Sequence, residues 1–141
     1  MRLEYSGGCF CGALHYEARG KARHECFCHC ESCRRAAGAT PVAWVTFDAA
    51  AFTVRSGHLT TYESSPKVTR GFCRICGTTM TYQHADRADE IDVALATLED
   101  PSDLAPKRHI WIQDKPAWVQ IDDGLPQFET VSGPSQGETT S

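Results

Sequence analysis

The stretch Phe72-Cys73-Arg74-Ile75-Cys76-Gly77 decides how this chain folds. A CxxC pair closed by glycine is the shape of a zinc knuckle: a tight turn presents two thiolates, and the glycine relieves the backbone where it folds under the ion. Half a chain earlier, Cys9-Phe10-Cys11-Gly12 places two more sulfurs on the same side of an extended segment. Together Cys9, Cys11, Cys73 and Cys76 supply four thiolates, the closed tetrahedral set of a structural zinc. Such an ion ties the first strand to the middle of the sheet. It also adds folding energy directly, because the unfolded chain has no preformed site.

Between these pairs lies a second run, Cys26-Phe27-Cys28-His29-Cys30-Glu31-Ser32-Cys33-Arg34-Arg35. Cys28, Cys30 and Cys33 form a compact tripod at the entry of a short helix. Three protein ligands leave zinc a fourth position for water or substrate, the layout of a catalytic site. The start of the helix helps hold the thiolates ionised. A zinc bound by three thiolates carries a net negative charge, which suits it to a soft ligand such as an incoming thiol rather than to ester hydrolysis. Two closed alternatives compete, with Cys26 or His29 as fourth ligand. Crowding disfavours Cys26, and His29, between two ligands, is expected to point away. A metal-free, oxidisable thiol cluster is the remaining reading.

The bulk composition narrows the setting. At 141 residues the chain suits one domain. Its net charge of −4 and the lack of a basic run argue against nucleic acid or an anionic membrane as partner. No apolar run approaches the ~20 residues of a membrane helix, and Met1 to Gly8 does not read as a signal peptide. The expected compartment is therefore the cytoplasm, where eight cysteines are metal ligands rather than disulfides.

Around the cysteines the chain reads as a mostly β, antiparallel domain with one short helix. Alternating or β-branched runs predict strands at 13–18, 41–47, 52–55, 59–63, 68–72, 79–83, 90–98, 109–112 and 118–121. The helix is expected from Glu31 to Gly38, and a short turn at Ser102–Leu104. Trp44, Trp111 and Trp118 fall at strand positions and are expected in the core. His15, His24, His58 and His84 read as surface or core residues, and Glu31 and Asp92 show no paired carboxylate. The polar end suggests a domain over 1–130 and a disordered tail over 131–141.

With these residues in place, Gly7 to Gly12, Cys28 to Arg35 and Phe72 to Gly77 resemble the glutathione-dependent formaldehyde-activating enzyme family. His109-Ile110-Trp111, Trp118 and Asp123-Gly124-Leu125-Pro126 are similar to its C-terminal stretch. The resemblance implies a β-tent fold, a structural zinc on Cys9, Cys11, Cys73 and Cys76, and a catalytic zinc on Cys28, Cys30 and Cys33. It also implies a carbon–sulfur lyase that joins glutathione and formaldehyde. On this reading Arg34 and Arg35 are candidates for the carboxylates of a glutathione-like tripeptide, a solvated helix face being the alternative for that pair. A non-catalytic zinc-binding module and a glutathione-binding carrier are the competing functions.

Overall fold

The computed structural model describes residues 2–131. It contains two sheets and one α-helix. The smaller sheet has three antiparallel strands in the order β1 (Glu4–Gly8), β2 (His15–Arg19), β5 (Phe52–Ser56). The larger sheet has seven. Its centre is β3 (Arg23–Cys28), β4 (Val42–Asp48), β9 (Glu90–Ala94) and β8 (Thr79–His84). β7 (Val68–Cys73) and β6 (Leu59–Ser65) extend one edge, and β10 (His109–Ile110) closes the other. All pairings are antiparallel except the two-residue β10, which lies parallel to β3.

The two faces of the large sheet do different work, and the alternation along β4 and β9 shows how. Val45, Phe47, Ile91 and Val93 point one way and pack with Tyr5, Tyr16 and Ala18 of the small sheet and with Leu14 just before β2, forming the main core. Their neighbours Trp44 and Ala94 join a second cluster with Cys26, Cys28, Cys33 and Ile110. Because β4 is covered on both faces, its sequence is almost continuously apolar.

The helix α1 (Glu31–Ala37) starts and ends where its sequence predicts. Cys30 is the N-cap, its sulfur accepting from the Cys33 N–H at 3.2 Å, a role more often taken by a side-chain oxygen. Gly38 ends the helix at φ 68°, where a left-handed residue costs glycine nothing. A 3₁₀ turn covers Ser102–Leu104 as expected.

Four differences from the sequence reading have physical causes. β1 and β3 are strands that their glycines and cysteines concealed. The strand expected over 90–98 stops at Ala94 and continues as a 3₁₀ turn. The strand expected over 109–112 stops after Ile110, because Trp111 takes a left-handed conformation at φ 59°. The segment 118–121 is not a strand: its chain turns after Pro116, whose carbonyl accepts from the Val119 N–H at 3.0 Å, and Trp118 stands 74% exposed rather than in the core. The expected tail lies, beyond Val131, outside the described residues. Among the described residues no helix is long and apolar enough to cross a membrane.

Candidate metal centres

The fold brings the eight cysteines together as two clusters and one outlier, with no disulfide among them. Cys9 and Cys11 come from the turn after β1; Cys73 ends β7 and Cys76 sits in the knuckle before β8. Their four sulfurs all lie within 4.8 Å of one another, with Cys9 and Cys11 at 3.5 Å and Cys11 and Cys73 at 3.9 Å. A tetrahedral ion with metal–sulfur bonds of ~2.3 Å needs sulfurs ~3.8 Å apart, so the donor set fits one. Backbone donors are already turned toward it. The Leu14 N–H meets the Cys9 sulfur at 3.3 Å and the Cys76 N–H meets Cys73 at 3.5 Å. Gly77, at φ 82°, donates to the Cys73 carbonyl and closes the knuckle. The Thr78 hydroxyl approaches Cys76 at 3.1 Å and draws its thiol down to about 5. Because the two pairs arise from different sheets, the cluster joins the sheets at one edge.

The second cluster is Cys28 at the end of β3, Cys30 at the N-cap and Cys33 in the first turn of α1, again within 4.8 Å. It has three donors. Cys26 is on the same strand face but outside the cluster, and burial pushes its thiol up to about 12, so it stays protonated. His29 does turn away: its Nε2 pairs with His109 Nδ1 at 2.8 Å. His109 Nε2 donates in turn to Asp123 Oδ2 at 2.8 Å, so a buried histidine pair fixes the loop between Cys28 and Cys30.

Arg70 supplies the charge test of this site. It is only 4% exposed and has no carboxylate partner among the described residues. A buried guanidinium needs an anion, and the one it reaches is Cys33 Sγ, at 3.7 and 3.8 Å from its two terminal nitrogens. Its Nε donates to Ser64 Oγ, and its plane sits 5.1 Å from the centre of the Tyr82 ring. Cys28 and Cys30 also bond to Cys33, and with Arg70 they hold it far into the thiolate range. Within the trio Cys28 and Cys30 are pushed up, so the cluster is one thiolate braced by two thiols, three sulfurs that a cation would gather as those protons leave.

The tripod opens into a cavity of ≈ 320 Å³ walled by Trp44, Tyr82, Ile110 and Trp111. Glu31, Asp92 and His24 also line it; a bulge in β3 and the left-handed His24, at φ 57°, turn that histidine inward. Arg34 and Arg35 do not line it. Arg35 is exposed and meets Glu31 at 3.6 Å, while Arg34 Nε is buried without a hydrogen-bond partner. His15, His58 and His84 lie away from the cavity.

Residues 4–114 match the glutathione-dependent formaldehyde-activating enzyme family. The chain is 26% identical over 120 residues to an uncharacterized lyase of Schizosaccharomyces pombe, a match covering 80% of this chain and 82% of that protein. It is also similar to a crystal structure of a Rhodobacter sphaeroides protein, with a TM-score of 0.58 and 30% identity, covering 72% of this chain and 97% of that one.

Proposed function

The chain belongs to the glutathione-dependent formaldehyde-activating enzyme family, and from that premise we propose that it is a zinc-dependent carbon–sulfur lyase. Its substrates would be a thiol such as glutathione and a small carbonyl such as formaldehyde, interconverted with S-hydroxymethylglutathione. Cys9, Cys11, Cys73 and Cys76 would hold a structural zinc, and Cys28, Cys30 and Cys33 a catalytic one. The observation that carries this reading is the three-cysteine cluster opening into a walled cavity.

A zinc held by Cys28, Cys30 and Cys33 would supply Lewis acidity that makes a bound thiol more acidic. The protein's own groups do the rest. Arg70 offsets the charge of the tripod and keeps Cys33 ionised. The His29–His109–Asp123 chain fixes the loop that spaces Cys28 from Cys30. The aromatic walls restrict water and hold thiol and carbonyl side by side, turning a bimolecular encounter into a local one. Arg35, exposed and in a weak surface ion pair, can exchange Glu31 for a carboxylate of the tripeptide, with Arg34 beside it on α1. Thiol-rich clusters of this kind suit the reducing cytoplasm.

Cys30→Ser tests the reading. The variant is expected to fold normally, bind one metal ion fewer, and lose adduct formation measured by exchange NMR of glutathione and formaldehyde. Unchanged turnover in that variant would remove the catalytic role of the tripod. Glutathione binding by the native protein without acceleration over the solution reaction would instead indicate a carrier.

A further inference from the structure

The cavity face of the large sheet carries a polar row that neither cluster accounts for. Strand register sets Arg70 opposite Tyr82, Tyr82 opposite Asp92, and Asp92 opposite Thr46, and all four line the cavity. One end of the row touches the tripod through Arg70 and Cys33. Near its middle is a carboxyl group with no cation bonded to it. Asp92 Oδ1 accepts from the Thr46 hydroxyl at 2.6 Å, and Oδ2 has no hydrogen-bond partner among the described residues. A recessed carboxylate is costly unless it is paired, and Arg87, the cation whose charge lowers it, is bonded to Glu90 at 2.8 Å.

We propose that Asp92 is the proton-transfer residue of this site, an inference that rests on the lyase reading. Asp92 Oδ2 takes the proton of the incoming thiol. The sulfur lone pair forms the S–C bond, the carbonyl π electrons move to oxygen, and Asp92 returns the same proton to that oxygen. The reverse reaction takes the hydroxyl proton and hands it to the departing sulfur. Atoms balance and no oxidant or co-reactant is required.

The surroundings give the carboxyl a suitable range. Burial raises it to about 6, and the Thr46 hydrogen bond partly opposes the rise. Arg87 lowers it, while Glu90 and the Cys33 thiolate raise it. Cys26 and Tyr82 also act on or feel its charge, and His24 and Arg70 share its cavity. In the forward direction the carboxylate is the active form, so the rate is expected to fall as pH drops through about 6.

The test is Asp92→Asn, which keeps an oxygen for Thr46 to donate to. With glutathione and formaldehyde as probes, exchange NMR is expected to show adduct formation reduced ~10²–10⁴-fold. The metal content and glutathione affinity should match the native protein. The acid limb of the rate profile should disappear, as should a protonated-carboxyl band in pH-difference infrared spectra. Thr46→Val, which removes a bond favouring the carboxylate, should shift that limb to higher pH and decides the matter if the Asn variant does not fold. Native catalysis with Asp92→Asn within about threefold at every pH would overturn the inference alone, as would an acid limb that Thr46→Val leaves in place. A native protein that does not accelerate the reaction would overturn the lyase reading and this inference with it.

Discussion

The two cysteine clusters share one chemistry and differ in nearly everything around it. The four-sulfur cluster sits where turns of two sheets meet, and turn N–H groups and Thr78 serve its sulfurs. The three-sulfur cluster sits under α1 at the wall of a cavity, and a buried arginine serves it. On the proposed reading, the complete donor set fed by local backbone is the staple, and the incomplete set facing a cavity, with charge supplied from a distant strand, is the reaction site. The clusters differ in ligand count and access.

The largest expected effect lies on the staple. Cys73 is 2% exposed and belongs to the main core. Cys73→Ser should cost the folding contribution of its metal site, on the order of 10 kcal/mol, and abolish cooperative thermal unfolding followed by circular dichroism. A variant that melts within a few degrees of the native protein would erase the distinction between the clusters.

A smaller effect is expected at the tripod. Arg70→Met keeps the volume of the buried side chain but removes its charge. Chelator competition should show metal affinity at the three-sulfur cluster falling ~10–100-fold, as for other groups that support metal ligands, with the four-sulfur cluster unchanged. Equal weakening of both would show that Arg70 acts through the sheet rather than on Cys33.

The smallest effect is a control away from the sulfurs. Burial raises Glu90, but hydrogen bonds from Arg23 and Arg87 outweigh it and leave its carboxyl below the usual range. A group depressed in the folded state adds stability above its unfolded pKa and loses it as pH falls through the folded one. Glu90→Gln should therefore cost ~1–2 kcal/mol at neutral pH, and the difference should vanish in acid. Denaturant unfolding at several pH values checks this, and metal content should not move.

The residues of both clusters, the limits of α1 and most strands were legible because their signals are local: CxC and CxxC spacing, alternation, a closing glycine. Arg70 and Asp92 were not. Each is a single polar residue in a strand, and its meaning comes from a distant partner: Cys33 on the helix, 37 positions from Arg70, and Thr46 across the sheet, 46 positions from Asp92. β3 was hidden because its cysteines read first as ligands, although they also alternate as a strand should. Trp118 misled because an indole suggests core, whereas Pro116 and the turn after it leave the ring outside. His29 pointing away followed from its place between Cys28 and Cys30, but the His109–Asp123 chain that receives it needed the register of β10 against β3.

One closed cluster and one open would be separated by native mass spectrometry of protein purified without oxygen or chelator, before and after excess glutathione. Two zinc ions per chain are expected, with a glutathione adduct that forms in the native protein but not in Cys30→Ser. One ion, or two with no adduct, would contradict that assignment.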